Sequence, residues 1–389
     1  MLSNSEVAAI RDRFPIFRRH VYLNSCSQGA LSDSVQSGIQ ALLESWNTYG
    51  SPWDTWTEQY EIARGEFAKF INADPDEVAV VTSVSAAISS VATALDFSDR
   101  NTVVMGEFEF PTMGHVWLAQ QRRGAVVKWV EGRDNRISPQ AYAAAIDRRT
   151  LIVPVTGVCF MNGFRPDVRE ISRLAHAEGA LAMLDDYQDC GTRPVDVKAM
   201  DVDFYTSGTL KYMLGHAGLA FLYVRKSLIE SFSPAVSGWF AQSNPFAFDP
   251  KTFDPSPTAR RFETGTPPIL AIYAALAGMR LLREIGMENI AAHIAKLTQA
   301  LLEGARAMGV RTKTPADSAG PLVVIQSTDA AALVNELARE GVIGSSRHDG
   351  LRISFHVYNT LDDVSTVLKI LERNIHLLVR EEDSAAVSR

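Results

Sequence analysis

Between residues 78 and 224 short apolar runs recur along the chain, reading VAVV, TVVM, AVVKWV, LIVPV, ALAML and GLAFLYV. Several are separated by stretches whose apolar positions return with a helical period. This rhythm predicts an α/β fold with a mostly parallel sheet. One unit carries clear punctuation: Asp167 caps a helix over residues 168–178, Gly179 suits its end, and a strand through Leu184 follows. Asp185 then falls at the carboxyl end of that strand. Ligands bind outside the carboxyl ends of strands in open α/β sheets, so polar residues at such ends are candidates for chemistry, although helix capping explains the same residues.

Residues 243–268, SNPFAFDPKTFDPSPTARRFETGTPP, are dense in Pro, Asp and Ser, which rules out regular structure over most of the stretch. It reads as an active-site loop, an interface loop or a linker, and its first half is expected to shape specificity. Residues 269–285 form a strong amphipathic helix pattern. PLVVIQS, AAALVNELAREG, LRISFHV and VSTVLKILERNI then alternate as strand and helix, the signature of a smaller α+β domain. The final REEDSAAVSR is polar enough for a disordered tail.

The length of 389 residues exceeds what one core usually serves, and 46% hydrophobic residues can fill two. Lys and Arg total 38 against 45 Asp and Glu, a net charge of −7 without long runs of either sign. Neither nucleic acid nor a membrane surface is therefore expected as a partner, and a small molecule is. The opening MLSNSEVAAIRDRF mixes charges where a signal peptide needs an apolar stretch, and no segment approaches the roughly 20 apolar residues of a membrane span. Cys26, Cys159 and Cys190 lack the spacing of a disulfide framework or a zinc site. A reducing, cytoplasmic location is expected, with no metal.

Lys211 lies in DFYTSGTLKYMLGHAGLAFLYV, where small and apolar neighbours can desolvate the amine and leave it neutral enough to attack an aldehyde. Asp185 can keep a cofactor's pyridine nitrogen protonated, and the amide of Gln188 can donate to a ring phenolate. Thr82, Ser83, Val84 and Ser85 follow the VAVV strand and open a helix, offering hydroxyls and free N–H groups to a phosphate. Phe110 can stack on a flat ring, and Arg352 can clamp a carboxylate with two parallel hydrogen bonds. Gly265 and Thr266 can add a backbone N–H and a hydroxyl to a phosphate site. Each residue also has an ordinary meaning: a surface lysine, a helix cap, a core phenylalanine, a structural ion pair, a tight turn.

Taken together, these segments resemble the class V aminotransferase family of fold-type I pyridoxal 5′-phosphate (PLP) enzymes, which includes cysteine desulfurases, kynureninases and isopenicillin N epimerase. YLNSCSQGALS is similar to the family's amino-terminal substrate segment, VTSVSAAISSVATAL to its phosphate-binding helix start and LDDYQDCGTRPVDV to its Asp-x-x-Gln cofactor motif. DVDFYTSGTLKYMLGHAGLAFLYV resembles the segment of the Schiff-base lysine, RRFETGTPP a phosphate loop reaching into the neighbouring subunit, and LRISFHVYNT the carboxylate-binding arginine. The resemblance implies Lys211 and Asp185 as catalytic residues. Ser83, Val84, Ser85, Phe110, Asp185, Gln188, Lys211, Gly265 and Thr266 become the cofactor-binding set, and Arg352, Asn24 and Gln28 the substrate-binding set. It also implies a homodimer with shared active sites. An amino-terminal segment of residues 1–30 is expected near the small domain and the active site, then a PLP-binding domain over 31–268 and a small domain over 269–389.

Departures from the family pattern matter as much. The stretch before the arginine reads GVIGSSRHDGLRIS and lacks the cysteine of the desulfurases, which disfavours desulfuration. Leu210 stands where many members have His or Tyr, and Gly208 where desulfurases have Ser, so the phosphate cup is completed differently. Cys159 replaces a common asparagine, with Asn162 close enough in sequence to substitute. Cys26, His216, Trp239, Arg347 and His348 sit in or near matching segments without an assigned role. An aminotransferase or related amino-acid conversion is the leading reading. A lyase cleaving a carbon–sulfur or other β bond, as in kynureninase, or an epimerase is the alternative, and a non-catalytic PLP-fold binding protein stands in another class. A nucleotide-binding α/β protein lacks support, since no G-x-G-x-x-G or G-x-x-x-x-G-K-[ST] follows any strand.

Overall fold

The structure, a computed structural model, describes residues 2–381. The expected tail, residues 380–389, lies almost wholly outside the described residues. Strands β1 (Val21–Tyr22), β2 (Val78–Val81), β3 (Thr102–Gly106), β4 (Val126–Val130), β5 (Thr150–Thr156), β6 (Leu181–Asp185), β7 (Phe204–Gly208) and β8 (Ala220–Val224) occupy the first part of the chain. After a helical stretch come β9 (Leu322–Gln326), β10 (Val342–Ile343), β11 (Ser345–Arg347) and β12 (Gly350–Ser354).

Seven strands form one sheet in the order β2-β8-β7-β6-β5-β3-β4, and only β8 runs against the rest. Side chains alternate across it as strand geometry requires. Val78, Val80, Val155 and Leu184 pack on one face with the helices Trp53–Phe70 and Val168–Ala177, where Phe67 stacks on Phe221 at 4.1 Å. Ala79, Val81, Val103 and Met183 pack on the other face with Val84–Ala94 and Pro111–Ala119. The unit punctuated by Asp167 forms as its sequence dictates: the carboxylate accepts from the Glu170 N–H at 3.1 Å, and Gly179 takes φ +71° before β6.

A second, three-stranded antiparallel sheet, β11-β12-β9, packs against the helices Met287–Ala307, Ala330–Arg339 and Leu361–Arg373. The amino-terminal segment belongs beside it, since β1 pairs in parallel with β10 and Asn24 bridges to Ser354. The helix Ile269–Ile285 begins and ends where its pattern predicts, yet it is no surface helix: Ala271, Ile272, Ala275 and Met279 enter the core of the large sheet, and Leu281, Leu282 and Ile285 that of the small one. Arg280, Arg283 and Glu284 remain exposed, so a polar edge survives beside the two cores. Three long helices not singled out in the sequence, Asp33–Tyr49, Trp53–Phe70 and Met287–Ala307, complete the packing.

Candidate active site

All the parallel strands of the large sheet end on one edge, and there β2, β3, β5, β6 and β7 deliver polar residues to a cavity of about 350 Å³. Thr82 to Ser85, Phe110, Thr156, Asp185, Tyr187, Gln188, Leu210 and Lys211 line it. Seven of the residues expected to hold the cofactor, Ser83, Val84, Ser85, Phe110, Asp185, Gln188 and Lys211, therefore meet in one place. A larger cavity of about 750 Å³ is walled by the loop after Ser237, with Trp239 and Phe248 stacked in it, and shares no residue with the Lys211 cavity. The titratable groups of the first cavity make it the chemical one.

The Lys211 amine lies 4.2 Å from the centre of the Tyr187 ring and 5.7 Å from that of Phe110. Burial lowers its pKa to about 8, against the opposing pull of the Asp185 carboxylate. A neutral amine is thus accessible near physiological pH, which nucleophilic attack needs. Asp185, 5% exposed at the end of β6, accepts from the Tyr187 N–H at 3.1 Å through one oxygen. Its pKa is raised, chiefly by burial, with Lys211 pulling the other way. A buried carboxylate of this kind favours a cationic partner.

At the start of the helix Val84–Ala94 the Ser83 hydroxyl accepts from the Ala86 N–H, so it caps the helix as well as facing the cavity. Ser85 meets the Thr112 hydroxyl at 3.2 Å. Ser83, Val84 and Ser85 thus bring the start of an 11-residue helix, the positive end of its dipole, to the cavity wall. Phe110 is 44% exposed, an aromatic ring turned to the open space rather than the core reading of the sequence. Gln188 donates to the Cys26 carbonyl at 3.1 Å, and its own buried carbonyl oxygen has no partner among the described residues. The free atom is an acceptor, so the expected donation to a ring phenolate has to come from the same NH2 group that serves Cys26.

Arg352 is 2% exposed and bonds only to neutral oxygens: the Ser27 hydroxyl at 2.9 Å, the Ser345 hydroxyl at 3.0 Å and the Phe160 carbonyl at 3.2 Å. No carboxylate of the described residues pairs with it, which suits a guanidinium reserved for an incoming anion. Ser27 and Phe160 were not legible in the sequence, because their target lies 325 and 192 residues away, and Ser345, seven residues away, meets it only through the pairing of β11 with β12.

Arg352 does not itself line the cavity and reaches it through Phe160, which does; the other expected residues lie further off. Gln28 is exposed and Asn24 half-buried, and neither lines the cavity; their neighbours Cys26 and Ser27 make the contacts to Gln188 and Arg352. Gly265 and Thr266 are exposed outside the cavity. Just before them Glu263 is tied to Arg64 at 2.5 Å, to the Val80 N–H and to Tyr60, which fixes the chain as it leaves β2. Asn162 cannot stand in for an asparagine at the cofactor. Its side chain donates to the Asn135 carbonyl and accepts from the Phe164 N–H, so both ends of the amide serve the turn. Cys159 is buried, and burial pushes its thiol up to about 12.

The Gly208 departure has a physical reason. A Cβ at this position would lie 2.6 Å from the Tyr187 hydroxyl oxygen and still closer to the ring, so the tyrosine occupies the room a serine side chain needs. Replacing Gly208 with alanine should cost about 1–3 kcal/mol by overpacking, although Gly→Ala in a strand ordinarily gains from reduced backbone entropy. Urea unfolding should register the loss, and in a Tyr187→Ala background the penalty should vanish.

Glu109 is the acid that the sequence did not announce. One oxygen accepts from the Thr156 N–H at 2.9 Å, and the other is buried without a partner among the described residues. Burial, with Asp185 nearby, raises its pKa to about 8. The sign follows: the stability tied to this group is whole below the ordinary value of 4.5 and is lost as pH rises through about 8. Relative to the wild type, Glu109→Gln should therefore gain about 1.4 kcal/mol per pH unit between pH 5 and 8, measured by urea unfolding of cofactor-free protein. Parallel curves would show that Glu109 ionises normally.

The sequence profile of the aminotransferase class-V family matches residues 45–367. The chain belongs to the aminotransferase class V family. An uncharacterized aminotransferase, YcbU, of Bacillus subtilis (strain 168) is 35% identical over 94% of this chain and 98% of its own. A kynureninase of Pseudomonas fluorescens is 27% identical over 95% of this chain and 92% of its own. In fold, a cysteine desulfurase from Thermococcus onnurineus NA1 superposes with a TM-score of 0.87 at 22% identity, covering 95% of this chain and 98% of that one. As a member of the class V family the chain is a PLP-dependent enzyme of amino-acid conversion. The site fits that cofactor: Phe110 and Tyr187 line the cavity as aromatic walls, the Lys211 amine stands within 4.2 Å and 5.7 Å of the Tyr187 and Phe110 ring centres, and the buried Asp185 carboxylate lines the same cavity. Among the described residues no helix is long and apolar enough to cross a membrane.

Proposed function

We propose that this class V enzyme transaminates an amino acid, with Lys211 as the residue that holds the cofactor and moves the proton at the substrate's Cα. When bound, PLP supplies an aldehyde that takes the amino group and a protonated ring that draws electrons from Cα. Lys211 carries the reading, because its depressed pKa lets one amine act both as nucleophile and as base. Asp185 keeps the ring nitrogen protonated, Phe110 and Tyr187 flank the ring, and Gln188 faces its polar edge. Ser83, Val84 and Ser85 receive the phosphate, and Arg352 holds the α-carboxylate. Gly265 and Thr266, turned away from this chain's own cavity, serve the site of a second copy in a homodimer. Exposed Trp46, Tyr49 and Trp53 support such an interface. Asn24 and Gln28 act at most through the segment that carries Cys26 and Ser27.

Residues 31–268 act as the cofactor-carrying unit and 269–389 as the smaller one, with residues 1–30 between them at the site. Three free, buried cysteines support a cytoplasmic setting. Transamination is favoured over desulfurase-type lyase chemistry because the hairpin that carries Arg352 has no cysteine, and burial pushes the Cys159 and Cys190 thiols up to about 12. The test is product analysis with an amino acid and a keto-acid acceptor. Stoichiometric appearance of the second amino acid supports transamination, whereas ammonia and pyruvate released without an acceptor would replace it by a lyase.

A further inference from the structure

Strand β12 divides its side chains between two environments. Leu351 and Ile353 enter the core built with the helices Met287–Ala307 and Leu361–Arg373, while Arg352 faces the opposite side. Val324, paired with Arg352, clusters there with Leu322, Cys26 and Tyr212. The Cys26 carbonyl accepts from Gln188 and Arg352 bonds the Phe160 carbonyl, and Gln188 and Phe160 line the Lys211 cavity, so this is the side of the small sheet turned toward that cavity. Ser345 also pairs with Arg352 and bonds its guanidinium, which places Ser345 on that side too. Two residues further along β11 stands Arg347, paired with Gly350. Period-two alternation puts Arg347 on the same side, diagonal to Arg352 at roughly the 7–8 Å spacing of such positions.

Two guanidinium groups on one face repel unless an anion joins them. The Arg352 charge is the main reason the pKa of Arg347 is lowered, and after burial both arginines act to lower that of Lys211. Arg347 donates to the Ser346 carbonyl, and like Arg352 it meets no carboxylate of the described residues. Charged residues on an edge strand ordinarily serve to discourage pairing with another chain, a role with no need of the side that faces the active-site lysine. A substrate with only an α-carboxylate would satisfy Arg352 and leave Arg347 unmatched.

We infer that the site takes an amino acid with a second acidic group, Arg352 receiving the α-carboxylate and Arg347, at the more open position, the side-chain anion. The substrate class is a dicarboxylic α-amino acid or its sulfonate equivalent. This rests on the reading of Arg352 as the α-carboxylate ligand, so the experiment separates the two. Holoenzyme is titrated with L-aspartate, L-glutamate, L-asparagine and L-glutamine, and the dissociation constant is read from the change in the cofactor's visible absorption. The wild type should bind each acid at least about tenfold more tightly than its amide, the size of one charge-assisted contact. Arg347→Gln should bring acid and amide within about twofold by weakening the acids alone. Arg352→Lys should weaken all four ligands. Equal binding of acid and amide by the wild type, an Arg347→Gln that weakens both alike, or no response to any of the four overturns the inference. If instead Arg352→Lys leaves amide binding intact, the α-carboxylate reading falls, and the inference with it.

Discussion

Replacing Lys211 with alanine should lower turnover by about 10³-fold or more, because one amine serves as the cofactor's anchor and as the general base at Cα, and a positioned base alone contributes about 10²–10⁴. The cavity should survive the change. Its walls are set by strand ends and by packing that the lysine side chain does not supply: the Leu210 carbonyl is held by the Gly29 N–H at 2.9 Å, and Leu214 by the Lys211 carbonyl of the backbone. The variant should therefore still take up PLP reversibly while losing turnover, which dialysis followed by steady-state kinetics would separate. Added small primary amines should restore part of the rate, since they can fill the vacated volume and accept the proton. A variant that retained a tenth of the wild-type rate would assign the base elsewhere.

Asp185→Asn is the second large effect, a fall of about 10²–10³ in kcat with cofactor affinity changed far less. Asparagine keeps the size of the side chain and an oxygen to accept from the Tyr187 N–H, so the local turn has no reason to move. What disappears is the negative charge. Burial makes that charge costly and raises the pKa of Asp185, and a protonated ring nitrogen held there would offset the cost as its countercharge. The loss should appear in kcat more than in KM, because the charge matters most when electrons flow into the ring. Equal loss in a non-catalytic binding measurement would mean that Asp185 holds the cofactor rather than tuning it.

Much of this site was legible because strand ends have a sequence signature. VAVV, LIVPV and ALAML are apolar stretches that stop at polar residues, and the sheet brings those stops to one edge, whereas β7, FYTSG, has no such signature. Asp167 and Gly179 punctuate their helix visibly, since capping is local chemistry. Contacts made across the chain were not legible. Ser27 reaches Arg352 and Cys26 reaches Gln188 only because β1 docks beside β10, a pairing that two-residue strands cannot advertise. Gly208 read as a missing hydroxyl, whereas its meaning lies in the bulk of Tyr187, 21 residues earlier in sequence and pressed against it in space. Glu109 looked like one more charge in EFEFPT, and only its enclosure beside Thr156 makes it an acid that resists ionisation. The helix Ile269–Ile285 has the limits its pattern predicts, while its contact with two cores was not legible, for periodicity reports a buried stripe and not what packs on it.

The measurement that bears most directly on the central claim is borohydride reduction of purified enzyme supplied with PLP, with absorption spectra before and after and peptide mapping of the product. A visible band that disappears on reduction, with the cofactor fixed to the peptide carrying Lys211 and no such adduct in Lys211→Ala, is the expected result. No visible band in the wild type, or an adduct mapped to any other lysine, would contradict it.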